Sequence, residues 1–423
     1  MILDRSKAPE FRIPSEINFP KPESRTLSNG VPVFFIPTPE IDAIKIEISS
    51  GSDPFSIPFE KLLVPSFTLQ MLLEGTNSKS GNELDDIFDT FASEVEPHIG
   101  FEYLGISLLT TKKHFSSVLP IFRELLTEAT FPEKELAKRK KQKALNISIQ
   151  KEQNGHRASQ LFRKSLFGEN HPFGQIADES DVNKFEKNDL MGFYESNLWT
   201  NPELFLTGNI DSKEFERITG FFETLPVHNR IQSNQNFVNG SNFRFSEEKE
   251  KSVQSSIRIG CHMIPKTHPD YIPLLVFNTI LGGYFGSRLI KNIREEKGHT
   301  YGISSSLGSL KSSDYWVVMA DVIKENADEV IEEIYKEIFL LQTVPISQNE
   351  LDTVRNYMVG KLLTQFSSGF ELISRFKSIH QSGLDFGFFQ NQLDYILNFS
   401  PEDIIRIGNK YFHRENMVEV IVG

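Results

Sequence analysis

Hydrophobic and polar positions along the chain fall into short alternating runs and longer helical runs, in an order that is met twice. Ser28, Asn29 and Gly30 supply turn chemistry ahead of the apolar run VPVFFIP, which predicts a strand. Ile44, Ile46 and Ile48 alternate with polar residues, the pattern of a half-buried strand. The stretch 64–76, VPSFTLQMLLEGT, then places Phe67, Leu69, Leu72 and Leu73 on one side of a helix, with Pro65 in a tolerated first-turn position and Gly75 as its C-cap. Ser80 caps a second helix carrying Leu84, Ile87, Phe88 and Phe91 at helical spacing. Strands are expected around 95–99 and 103–109, and a helix near 114–126. A long helical region, 132–167, is interrupted at Asn154 and Gly155. A helix around 190–197 and a strand at 204–207, stopped by Gly208, end this half.

The stretch 226–250 is polar, rich in Asn, Gln and Ser, and reads as a linker. Beyond it the same order of elements returns. A strand at 253–261 leads to an apolar helix at 271–281, a second helix at 286–296, strands at 301–310 and 315–322, three to five further helices, and a last strand at 417–422. Two landmarks share one offset. Glu135 with Leu136 and Glu350 with Leu351 lie 215 residues apart, as do Gly208 and Gly423, which points to a tandem duplication. The order β–α–α–β–β–α–α in each half implies an α+β fold of two homologous domains, each an antiparallel sheet with helices packed on one face. The expected units are 1–225 and 251–423, joined by 226–250.

Bulk properties narrow the function classes. A chain of 423 residues is too long for one ordinary core. Its net charge of −12 argues against a nucleic-acid partner and is compatible with basic peptides. The single cysteine, Cys261, excludes internal disulfides and cysteine-based metal clusters, and reads as a small buried apolar residue. No window approaches the roughly 18 continuous apolar residues of a membrane span, so no membrane partner is expected. The first residues lack leader or transit character. A cytoplasmic setting is therefore expected, with a periplasmic one left open for a chain whose leader has been removed.

Candidate chemistry is sparse in the first half. No two of the ten histidines lie three or four apart, so no helix offers two imidazoles to one ion. Glu152 and His156 are four apart, a common surface pairing. No nucleophile elbow, phosphate loop or dinucleotide fingerprint occurs. Gly282, Gly283 and Gly286 lie between helical runs and read as a tight inter-helix turn. In the segment LGGYFGSRLIKNIREEKGHTYG, Arg288, Lys291, Arg294 and Glu295 fall along a helix that Gly298 must end, and Tyr301 begins a strand. That turn aims Arg294 and Tyr301 toward one point, where a guanidinium and a phenol could hold a peptide carbonyl. A structural reading stays open beside it: Arg294 pairs with Glu295 or Glu296, and Tyr301 belongs to the core.

Several stretches together resemble one family. LSNGVPVFF, the ending MLLEGT, HPFG at 171–174, FYESNLWTNPELFLTGNI and LGGYFGSRLIKNIREEKGHTYGISS are similar to segments of the pitrilysin, insulinase and mitochondrial-processing-peptidase family of zinc metallopeptidases. The resemblance implies an inverted H-x-x-E-H motif on the helix at 64–76 and a third ligand, a glutamate, further along. Here Ser66, Leu69 and Gln70 stand at the motif positions and Asn146 at the third ligand. Tyr284 stands where a third glycine is common. The pattern R-E-x-x-G-x-x-Y is intact as Arg294 and Tyr301, which in catalytic members contact substrate and stabilise the attacked carbonyl. The resemblance thus implies the non-zinc subunit of a heterodimeric peptidase, inactive alone. It would bind no metal itself and supply Arg294 and Tyr301 to a peptide substrate at the zinc of a homologous partner. The alternatives are an inactive pseudo-peptidase that binds peptides or acts as a scaffold, as related core subunits of respiratory complexes do, and a hydrolase with an unrelated site.

Overall fold

A computed structural model of the protein describes residues 20–51, 53–229, 244–310 and 313–423. Most of the amino-terminal lead-in, and 230–243 within the expected linker, lie outside the described residues. The first half carries β1 (Glu23–Thr26), β2 (Pro32–Pro37), β3 (Ala43–Gly51), α1 (Val64–Met71), α2 (Gly81–Thr90), β4 (Glu94–Ile99), β5 (Tyr103–Thr111), α3 (Phe115–Thr127), α4 (Glu133–Glu152), α5 (Asn154–Phe167), α6 (Lys187–Ser196), β6 (Pro202–Gly208) and α7 (Ser212–Glu223). The second carries β7 (Arg244–Glu247), β8 (Gln254–His262), α8 (Tyr271–Asn278), β9 (Thr300–Gly308), β10 (Tyr315–Ile323), α9 (Ala327–Thr343), α10 (Gln348–Thr364), α11 (Gly369–His380), α12 (Gly387–Asn398), α13 (Pro401–Tyr411) and β11 (Val418–Val422).

The α+β architecture follows the sequence pattern, and the strand orders display the repeat. The first sheet runs β1-β2-β6-β3-β5-β4 and the second β7-β11-β8-β10-β9. With β1 set aside, the two orders map strand for strand. Each sheet differs from the all-antiparallel expectation at one place: β2 pairs parallel with β6, and β7 parallel with β11. The last strand of each half returns and inserts between the first two strands, and so runs alongside the first.

A second difference concerns the sheet faces. Each half sends one helix to the sheet of the other half. α5 lays Ala158, Leu161 and Phe162 against Val317, Val418 and Val420 of the second sheet. α11, beginning 215 residues after α5, lays Phe376 against Phe34 of the first sheet, ring centroids 5.0 Å apart. Helices therefore cover both faces. β3 shows the consequence: Ile44, Ile46 and Ile48 are fully buried, but Glu47 and Ser49 on the other side are buried as well. Lys377 of α11 and Gln381, its C-cap, satisfy those two polar groups, as buried polar atoms require. On the second sheet Arg258 donates to Ser159 Oγ (3.0 Å) and to the Gly155 carbonyl (2.8 Å) of α5.

α1 forms where the apolar spacing predicts, with Pro65 in its first turn. Its end differs from a simple C-cap. The helix tightens into a 3-10 turn over Leu72–Glu74, and Gly75 takes φ 151°, ψ 150°, not the usual left-handed cap. That glycine-restricted conformation turns the chain into a bridge with Ser80, which caps α2 in a reciprocal capping box with Glu83.

Candidate functional site

Two loci correspond to the residues singled out in the sequence. In the first half, the start of α1, the end of β4, α4 and α5 enclose a cavity of about 570 Å³. Ser66 reaches it, and its Oγ donates to the Leu63 carbonyl at 3.0 Å. Leu69 points the other way and is fully buried in the core. Gln70 is half-buried and does not line the cavity, and Asn146 is exposed on α4. The α4 face turned inward is Lys143, Ile147 and Gln150, at helical spacing. The structure therefore does not bring Ser66, Leu69, Gln70 and Asn146 to one point.

Those donors do not fit a zinc ion. Zinc needs thiolate, imidazole or carboxylate ligands; a leucine supplies none, and a serine held by its own helix turn and an outward amide supply no charge. Among the described residues no group of three or more His, Cys, Asp or Glu side chains is placed to hold an ion. Glu152 and His156 do not share a helix face, because the chain breaks at Gln153 between α4 and α5. Cys261 is buried and its thiol is pushed up to about 12 by desolvation, which leaves no thiolate for nucleophilic attack.

The second locus lies at the β9 edge of the second sheet. Of the three glycines expected in an inter-helix turn, Gly282 and Gly283 instead end a π-helical segment, Thr279–Gly283, and a Cβ on Gly282 would come 2.6 Å from Ser305 Oγ, so this glycine lets the chain press onto β9. The following helix winds into a π turn over Ile290–Glu296, closed by Lys297 N–H donating to the Asn292 carbonyl at 3.0 Å. Its inner side is anchored. Asn292 Nδ2 donates to Glu333 and Glu337 of α9, both at 2.8 Å, and Arg288 forms a bidentate pair with Glu350 of α10 at 2.8 and 2.9 Å.

The outer side carries Arg294. Its guanidinium lies over the ring of Phe285, 5.0 Å from the centroid, and among the described residues it makes no ion pair with Glu295 or Glu296. Phe285 is exposed, a pairing the sequence did not signal. Gly298, at φ 67°, then reverses the chain into β9. The register pairs Ile303 with Ala320 and Thr300 with Val322, so Tyr301 and Gly302 together oppose one residue, Asp321. That is a β-bulge, a device that re-aims side chains. Tyr301 stands out from it 90% exposed, outside the core. No hydrogen bond joins Arg294 to Tyr301 among the described residues.

Comparison with known proteins bears on the fold that carries both loci. Residues 184–358 match the family described as "Peptidase M16 inactive domain". That match spans the end of the first half and much of the second, and it is a similarity of this stretch to the M16 inactive domain. The chain is 23% identical over 357 residues to the "uncharacterized zinc protease YmxG" of Bacillus subtilis, covering 83% of this chain and 86% of that protein. A crystal structure of a peptidase M16 inactive domain from Pseudomonas fluorescens superposes with a TM-score of 0.85 at 20% identity, over 95% of this chain and 98% of that one. The periplasmic protease PqqL of Escherichia coli superposes with a TM-score of 0.75 at 13% identity, over 99% of this chain but 49% of that one. The two-domain M16 fold thus extends over the whole chain, as the resemblance implied. No helix among the described residues is long and apolar enough to cross a membrane.

Proposed function

We propose that this protein is the non-zinc subunit of a heterodimeric M16-type zinc peptidase. It would supply Arg294 and Tyr301, from the unit 251–423, to a peptide at a zinc site on a homologous partner. One observation carries the reading: the two loci of one duplicated fold have opposite character. The first has, among the described residues, no set of three side chains that could hold a metal ion. The second holds a cation over an exposed ring, on a helix anchored inward by Asn292 and Arg288, and a nearly fully exposed phenol on a bulged edge strand. A tyrosine with that exposure adds nothing to packing in the chain alone.

The chemistry suits a carbonyl. A guanidinium and a phenol are donors, and donors preorganised on an acyl oxygen stabilise the charge that grows there during attack. The outer edge of β9 is unpaired in the sheet, so an extended peptide can add to it as a further strand. The partner's zinc would supply the activated water. PqqL supports the pairing, since one polypeptide there is about twice the length this chain covers.

The test is peptide hydrolysis by this chain alone, by a zinc-bearing homologue alone, and by the mixture. Activity is expected in the mixture, and Arg294→Ala should lower kcat/KM by roughly 10²–10³-fold, with a smaller loss for Tyr301→Phe. Unchanged activity after both substitutions would remove the role assigned here. A second reading, a peptide-binding scaffold without catalysis, is favoured by the lack of a metal-ligand set. It predicts a mixture no more active than the homologue alone.

A further inference from the structure

The cavity at the emptied motif has acquired a character of its own. Lys143 of α4 and His156 and Arg163 of α5 all line it, and no aspartate or glutamate does. None of the three has a carboxylate partner among the described residues. They share one field: the His156 imidazole is held below its ordinary proton affinity by desolvation first, then by the charges of Arg163 and Lys143. Polar groups in the wall are left without partners. Arg163 Nε and Gln175 Nε2 are buried and donate to nothing, and the amide of Gln160, a residue only 8% exposed, has a buried oxygen without a donor. Rotating that amide would present its N–H₂ instead. Buried donors without partners cost free energy unless a ligand or water meets them.

We propose that this cavity binds a carboxylate carried on an apolar body. The Arg163 guanidinium fork matches a planar carboxylate, with Lys143 as a second point charge. Ile99, Phe101 and Ile147 supply an apolar wall for the rest of the ligand. Two sources share this chemistry: the C-terminus of a peptide ending in an apolar residue, and a free aliphatic acid. The free edge of β4 runs into the cavity at Ile99, which gives a peptide an approach along the sheet. This inference goes beyond the subunit reading and stands without a partner chain.

Calorimetric titration of the full chain tests it, using an N-acetylated apolar pentapeptide ending in leucine, its C-terminal amide, and decanoate. The peptide acid or decanoate should bind at one site, and whichever binds identifies the source. The amide should bind roughly ten- to a hundredfold more weakly than the acid if the peptide is the ligand. Lys143→Gln should weaken acid binding by a similar factor, whereas Lys141→Gln, exposed on the same helix and outside the cavity, should not. Arg163→Gln should do the same where it retains the wild-type melting temperature. Equal binding of acid and amide with no binding of decanoate, no binding of either acid at millimolar concentration, or indifference to Lys143→Gln would each overturn the proposal. Because no partner is added, failure here leaves the mixed-subunit experiment unaffected.

Discussion

The two loci were built from one repeat and have diverged in what they expose. At the first, a residue that would have to carry the chemistry, Leu69, is fully buried and serves packing. At the second, Asn292 and Arg288 are anchored inward while Arg294 and Tyr301 face outward. A fold maintained for shape alone gains nothing from a 90% exposed tyrosine on an edge strand. One copy of the repeated layout buries its motif position, and the other leaves a cation and a phenol facing outward.

The contrast can be broken most sharply at Leu69. Leu69→Glu, which restores an acid at the motif position, places a carboxylate in a closed apolar core and should cost about 3–5 kcal/mol or prevent folding. A thermal melt with wild-type stability would mean that α1 can still turn this position toward the cavity. The next effect is a pH dependence in the support behind the first locus. His171 stacks on Phe167 of α5, accepts from the Phe173 N–H through Nδ1 at 3.1 Å, and is 5% exposed. Burial first, and His262 second, push its imidazole down to about 4 from 6.5. Above pH 6.5 the ring is neutral folded or unfolded, and its full contribution is present. Between 6.5 and 4 only the unfolded chain takes up the proton, so stability falls as pH falls, by about 3 kcal/mol in all. His171→Asn should flatten that slope in melting temperatures measured from pH 7 to 4.

Smaller effects test the second locus. Phe285→Ala removes the ring beneath Arg294 and should lower mixed-subunit activity roughly two- to fivefold, well short of losing Arg294 itself. An equal loss would mean that the ring, not the guanidinium, meets the peptide. Tyr301→Phe should shift stability by less than about 0.5 kcal/mol. A larger change in melting temperature would make Tyr301 structural and dissolve the contrast.

Much of this was legible in the sequence because it rests on local periodicity. The strands at Ile44–Ile48 and the Ser80 cap are set by spacing and capping chemistry, and the shared 215-residue offset is borne out by matching strand orders. Arg294 and Tyr301 were visible as residue types at a turn. What escaped were the relations between distant segments. The amphipathic pattern of α5 states that one side is buried but not against which sheet, so the crossing of α5 and α11 carried no local signal. The same blindness hid the cavity: Lys143 and Arg163 meet across two helices whose relative angle is set at Gln153. Asn146 is one step round α4 from the side that lines the cavity, an offset that counting from a remote motif does not resolve. The bulge at Tyr301 depends on the register of two strands and was likewise invisible.

The exchanged helices have a consequence for how the chain came to be and how it moves. Corresponding elements of the two halves start 215 residues apart, as α5 and α11 do, yet α5 belongs by packing to the second sheet and α11 to the first. Pulling the halves apart would strip Phe162 from one sheet and Phe376 from the other, and leave Glu47 and Arg258 buried without their partners. The unit of inheritance is therefore half the chain, while the unit of folding is the whole of it. Such a body has no loose joint between its sheets. Paired with a second chain, it would act as one stiff jaw, and any opening to admit a peptide would fall at the boundary between the two molecules.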